Sequence, residues 1–218
     1  MTGKLIVIDG TDGSGKATQT KLLIERMRRE GLGSETVSFP QYGKNSAGLV
    51  EEYLAGKYGS AKEVGPKRAS IFFAIDRYDA SFQMKKWLEE GKHIVSDRYV
   101  SANMGHQGGK IADPEERKRF FEWADELEYG IFELPRPTLT LILHVAPEVS
   151  YKLLDAEKSS TRDIHELDLD HLRQAEAAYL DMVKLFPDFK LVECVENGAI
   201  LPIESIQEKI WAEVNNYL

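Results

Sequence analysis

Leu5-Ile-Val-Ile-Asp9-Gly10-Thr11-Asp12-Gly13-Ser14-Gly15-Lys16-Ala17-Thr18 decides the fold. It opens on an unbroken apolar run, the pattern of a strand buried on both faces, and closes on a segment with helical periodicity. The turn between them is rich in glycine and carries a lysine at its end. Strand, glycine turn and helix in that order make a phosphate-binding loop, because the glycines let the backbone curl around an anion and the N–H groups point inward. Gly10, Thr11, Asp12, Gly13, Ser14, Gly15, Lys16, Ala17 and Thr18 are therefore the candidate triphosphate-binding residues, with Lys16 as the point charge.

One position departs from the pattern. The hydroxyl residue that normally follows the lysine and ligates Mg²⁺ is Ala17, and the hydroxyl comes one residue later, at Thr18. One step along a helix turns a side chain by about 100°, so Thr18 does not replace it. Water or a nearby carboxylate is expected to complete the octahedral shell.

Outward from this loop, further short apolar runs occupy 36–39, 93–96, 138–145 and 191–195. Helical periodicity fills 15–30, 66–89, 114–128, 147–158, 165–185 and 203–218. Strands alternating with helices predict an α/β fold, a parallel sheet covered by helices. Pro66 and Pro114 stand where a helix can start, and Gly31 and Gly91 where one can end in a left-handed residue. No repeat or long linker divides the chain, which reads as one domain over residues 1–218, with a polar segment at about 155–166.

Composition sets the outer bounds. Among 218 residues, 28 are basic and 36 acidic, for a net charge of −8, so the broad basic footprint of a nucleic-acid binder is missing. The apolar runs are far shorter than the roughly 20 residues of a membrane span, and the N-terminal run is too short for a signal peptide. A cytoplasmic protein without nucleic-acid or membrane partners is expected. The single cysteine, Cys194, lies in an apolar run and is expected to be an inert buried thiol.

Three other clusters carry chemistry. Asp97 and Arg98 end the run at 93–96, where a parallel sheet presents its C-terminal edge. There Asp97 could hold a metal ion or its water, and Arg98 could reach a phosphate. Phe73 and Arg77 are four residues apart on one helical face, so a ring and a guanidinium could stack on a base and clamp its phosphate. Phe39, Pro40 and Tyr42 close the run at 36–39, where proline and aromatics after a strand most often form just a packed loop.

Together these clusters resemble the thymidylate kinase family of nucleoside monophosphate kinases. The resemblance runs from Lys4 to about Asp181. It rests on Gly10-Thr-Asp-Gly-Ser-Gly-Lys16, Phe39-Pro40-x-Tyr42, Phe73-Ala-x-Asp-Arg77, and Asp97-Arg-Tyr99 followed by Gln107. It implies a P-loop NTPase fold, three-layer α/β/α with a five-stranded parallel sheet and a short lid, assembled as a homodimer. It also implies transfer of the γ-phosphoryl group of ATP to dTMP with Mg²⁺, in dTTP biosynthesis. Carried over by position, Asp12 would meet the sugar 3′-hydroxyl, Phe73 would stack on thymine, and Arg77 would bind the acceptor phosphate and base edge. Arg98 would grip the acceptor phosphate, Asn103 would face the base, and Phe39, Pro40, Tyr42, His106 and Gln107 would line the dTMP site. Lys16, Asp97, Arg98 and Arg162 would be catalytic, with Asp12 and Asp97 at the metal, directly or through water.

Departures from the family pattern sharpen these expectations. Gly13 stands where a catalytic arginine can follow the loop's acidic residue, so the resemblance moves that duty to the lid, where Arg162 is the candidate. His106 replaces a tyrosine or phenylalanine that helps reject ribose, which opens the choice between dTMP and UMP. Gln41 replaces an arginine often found between Pro40 and Tyr42. Rival readings are a kinase for another deoxynucleotide or a deoxynucleoside, and a nucleotide-binding protein weakened in catalysis.

Overall fold

The computed structural model describes residues 2–156 and 169–218. In chain order the elements are β1 (Leu5–Gly10), α1 (Lys16–Arg29), β2 (Ser34–Ser38), α2 (Gly48–Leu54), α3 (Ala61–Val64), α4 (Pro66–Glu89), β3 (His93–Asp97), α5 (Val100–Gly108), α6 (Pro114–Asp125), β4 (Leu139–His144), α7 (Pro147–Ala156), α8 (Leu169–Leu185), β5 (Phe189–Glu193), β6 (Val195–Glu196), β7 (Ala199–Ile200) and α9 (Ile203–Val214). A 3₁₀ turn, Asn45–Ala47, precedes α2, and a π-helical segment, Glu126–Ile131, continues α6.

Strands β1 to β5 form one parallel sheet in the order β2-β3-β1-β4-β5, and β6 and β7 pair as a small antiparallel hairpin. Every residue of β1 is buried, as expected of a central strand covered on both faces. Because successive side chains alternate, Leu5 and Val7 enter a core shared with α4, α5, α6 and α8, and Ile6 and Ile8 enter one shared with α1 and α9. The three-layer α/β/α architecture and the five parallel strands are as the sequence led one to expect.

The start and stop signals hold. Pro66 and Pro114 open α4 and α6, and Asp113 caps α6 by accepting from the Glu116 N–H at 2.8 Å. Gly31 and Gly91, just past α1 and α4, take φ of 78° and 79°. Cys194 is buried between strand and helix, and burial pushes its thiol up to about 12, so it is inert.

Three helices and the β6–β7 hairpin escaped the periodicity. Helix α5, with two glycines and few apolar residues, has no clean amphipathic stripe, and α2 and α3 are too short to show one. The predicted helix at 114–128 ends its α-helical part at Asp125 and widens into the π segment. The predicted lid and the outer ends of the helices at 147–158 and 165–185 lie outside the described residues. None of the described helices is long and apolar enough to cross a membrane.

Candidate active site

The glycine loop sits where β1 feeds α1. A Cβ on Gly10, at φ 140°, would meet the Leu143 carbonyl at 2.4 Å, so no other residue fits this close approach to β4. Lys16 is folded back onto the loop: its Nζ donates to the Thr11 carbonyl at 2.8 Å and lies 3.8 Å from Asp12. The hydroxyls of Thr11 and Ser14 are buried with no partner among the described residues. Such groups lie in a cradle that an anion would satisfy. The loop from Asp12 to Gln19 lines an open cleft of about 1390 Å³, walled on its other sides by Asp97, Arg98, Leu153, Leu154 and the segment at 200–206.

Beneath the loop, Asp9 ties three elements together. It accepts from the Gly10 N–H at 2.9 Å, from the Tyr179 hydroxyl of α8 at 2.9 Å, and from the Ser101 hydroxyl of α5 at 2.5 Å. Burial raises its carboxyl, and the Ser101 bond and the Lys16 charge oppose that rise. The sequence reading missed Asp9, whose only signal was an acid at the buried end of an apolar strand.

Arg98 follows β3 with φ 63°, a left-handed conformation rare outside glycine and common where a side chain is aimed at a site. Its Nη2 donates to Asp12 Oδ1 at 2.5 Å. Burial works against the Asp12 anion, but His106, Lys16 and Arg98 hold the carboxyl well below the usual range. Burial also lowers His106, to about 3, so at neutral pH the two cations alone do this. Asp97 faces the loop cleft with no hydrogen-bond partner among the described residues, and burial raises its carboxyl against Lys16 and Arg98.

A second cleft, of about 780 Å³, opens on the other side of Asp12 and Arg98. It gathers Phe39, Pro40, Tyr42, Phe73, Arg77, Asn103, His106 and Gln107, every acceptor-site residue expected from the sequence. Helix α4 supplies Phe73 and Arg77, and α5 supplies Asn103, His106 and Gln107. Gln41, in the place of the expected arginine, is pinned to α4 instead: its backbone N–H and its amide donate to Asp76 at 2.8 and 3.1 Å. Arg162 lies outside the described residues.

Tyr53, Lys110 and His171 also line this cleft, and Glu128 lies buried behind it. Glu128, on the π segment, accepts from Arg77 Nε at 2.5 Å and Nη2 at 2.6 Å, and from Asn103 Nδ2 at 3.1 Å. Tyr53 stands edge-on to Phe73, with ring centroids 6.2 Å apart. Lys110 donates to the Tyr53 hydroxyl at 3.1 Å and to Gln107 Oε1 at 2.8 Å, with no carboxylate partner among the described residues, and burial lowers its ammonium to about 8. His171 of α8 stacks on His106, with a ring-nitrogen separation of 3.3 Å. Each is distant in sequence from the motif residue it touches, or lies in a segment without periodicity, so no local pattern marked it.

The residues present fit a hard divalent cation. Asp97 and Asp12 offer carboxylate oxygens beside the loop, Ala17 offers none, and the remaining positions suit water.

Comparison with known proteins agrees with this geometry. The sequence profile described as thymidylate kinase matches residues 8–210. The thymidylate kinase of Mycobacterium tuberculosis is 27% identical over 183 residues, covering 82% of this chain and 85% of the relative. The probable thymidylate kinase of Thermococcus kodakarensis is 28% identical over 222 residues, covering 98% of each. Among solved structures, a thymidylate kinase from Candida albicans superposes with a TM-score of 0.76 at 22% identity, over 99% of this chain and 92% of that one, and so shares the fold. With nearly its whole length matched by the family profile, the chain belongs to the thymidylate kinase family.

Proposed function

We propose that the chain transfers the γ-phosphoryl group of ATP to dTMP, giving ADP and dTDP, as a single catalytic domain with a lid at about 155–166. One observation carries this reading: Asp12 and Arg98 line both clefts, so donor and acceptor phosphates meet at a shared wall. A nucleophile already present on the acceptor needs positioning and charge neutralisation rather than a base. An oxygen of the acceptor phosphate bonds to the γ-phosphorus as the bridging bond to ADP breaks in line. Lys16 neutralises the transferring group, Arg98 holds the acceptor phosphate, and Arg162 is proposed to complete the charge set on lid closure. Bound at Asp97 and Asp12, Mg²⁺ would supply charge neutralisation between the donor phosphates.

The base end supports a pyrimidine acceptor. Phe73 offers a stacking face, and Asn103 Oδ1 is a buried acceptor with no partner among the described residues. An amide oxygen so placed suits a ring N–H, which thymine has at N3. The homodimer is supported by an apolar stripe on α4: Ile71, Ile75, Tyr78 and Phe82 recur at helical spacing and stay exposed, Phe82 by 63%. A cytoplasmic location fits a nucleotide substrate.

The test is ADP release with ATP and Mg²⁺ against dTMP, dUMP, UMP, dCMP, dGMP and thymidine. Preference for dTMP supports the reading. Preference for thymidine overturns it in favour of a nucleoside kinase, and ATP binding without acceptor-stimulated ADP release leaves only a nucleotide-binding protein.

A further inference from the structure

We propose that Glu128 is a positioning residue that fixes the hydrogen-bonding pattern read by the acceptor base, restricting the acceptor to rings with a carbonyl beside an N–H. The proposal rests on the reading of the Phe73 cleft as the acceptor pocket.

The argument is one of valence. A primary amide has two N–H bonds, and Asn103 commits both: Nδ2 donates to the Ser70 carbonyl at 3.1 Å and to Glu128 Oε1 at 3.1 Å. Turning the amide over would set its oxygen against a carbonyl and a carboxylate, acceptor against acceptor with no proton between them. Oδ1 is thereby fixed as an acceptor, buried and without a partner among the described residues, on a residue that lines the cleft.

The same carboxylate sets the neighbouring donor. Glu128 takes Nε and Nη2 of Arg77 in a two-point pair, which fixes the plane of the guanidinium and leaves Nη1 uncommitted among the described residues. Both partners are buried, Glu128 completely. A buried ion pair is a weak stability device compared with apolar packing, so its effect here is on geometry. Glu128 can reach both groups because it lies on the π segment, where the wider turn carries the end of α6 across to α4 and α5.

Held by one carboxylate, Arg77 and Asn103 both line the cleft, the first offering a donor and the second an acceptor. Thymine and uracil present a carbonyl and the N3–H and match both. Cytosine presents an amino group and a bare ring nitrogen and mismatches both. A pocket built to hydrogen-bond one pattern rejects the other because its own buried groups are left unpaired.

The experiment compares wild type with Glu128→Gln, which keeps the shape but replaces one acceptor oxygen with a donor. Values of kcat/KM for dTMP and dCMP are measured alongside KM for ATP and thermal stability. The expected result is a fall of about 10- to 100-fold in the dTMP to dCMP ratio, the cost of one buried group left unsatisfied, with KM for ATP unchanged. A folded variant whose ratio stays within twofold of wild type overturns the proposal.

If the variant does not fold, side-chain amide exchange in wild type decides. The Asn103 NH₂ signals are identified by their loss in Asn103→Ser. Slow exchange in the nucleotide-free protein, unchanged on adding dTMP, supports the anchored amide, and fast exchange refutes it. Absence of dTMP-stimulated ADP release in wild type sinks the functional reading itself, before any variant is made.

Discussion

Replacing Lys110 by methionine exposes a cost that the acceptor cleft imposes on the fold. The lysine closes the end of the cleft near Tyr53 and Gln107, and burial lowers its ammonium from an ordinary 10.5 to about 8. The sign follows from proton counting. Below pH 8 both folded and unfolded chains hold the proton, and the fold bears the full penalty. Between 8 and 10.5 the unfolded chain binds more protons than the folded one, so stability rises with pH. Integrated from pH 7 to 9, the lysine gives about 1.3 kcal/mol of added stability, an upper figure because part of the side chain stays hydrated. Lys110→Met removes this group and leaves the other titrations in place. Urea unfolding of both proteins at pH 7, 8 and 9 should show the difference between them shifting by about 1 kcal/mol in favour of wild type as pH rises. A difference that stays flat across that range would refute the buried ammonium held without a carboxylate.

Three further outcomes follow from the same geometry. Lys16→Met should slow ADP release with dTMP by roughly 10² to 10³, the loss of one preorganised charge contact, with the fold retained by circular dichroism. Asp97→Asn should raise the Mg²⁺ concentration needed for half-maximal rate, since it removes an unpartnered carboxylate beside the loop, and an unchanged Mg²⁺ titration would exclude Asp97 from the metal. Gly105→Ala would set a Cβ 2.5 Å from the Tyr179 ring, displacing the ring that donates to Asp9. A loss of about 1–3 kcal/mol is expected, read as a fall of several degrees in Tm by calorimetry.

What the sequence made legible divides by the kind of signal. The parallel sheet could be read because buried strands such as β1 and β4 are short, mostly apolar runs, and α4 because Pro66 and Gly91 bracket it. The loop from Gly10 to Thr18, Asp97 and Arg98 could be read because their chemistry depends on short spacing at a strand end. Helix α5 could not, although Asn103, His106 and Gln107 were picked out on it. Its conformation is set by packing, where Gly105 admits the Tyr179 ring and Gly108 admits Phe121 at distances that exclude a Cβ. Glu128 was invisible for a related reason: it is 51 residues from Arg77 and 25 from Asn103, and only the folded chain joins them. A carboxylate that acts through another side chain leaves no motif.

The charges of the two clefts are arranged differently, and the difference fits the tasks proposed for them. At the shared wall, Lys16 rests on a backbone carbonyl and Arg98 on Asp12, single contacts that phosphate oxygens can replace. Each cation therefore keeps a contact in the nucleotide-free protein that can be exchanged when charge arrives, and Arg98 Nε stays buried without a partner among the described residues. At the base end, Arg77 is held by two hydrogen bonds to a fully buried carboxylate, and Asn103 by two acceptors. Exchanging those partners would strand a buried charge, so that end is fixed before the acceptor enters. Exchangeable partners suit groups that must follow a phosphoryl group from one nucleotide to the other, whereas fixed ones suit a surface that must tell one base from another.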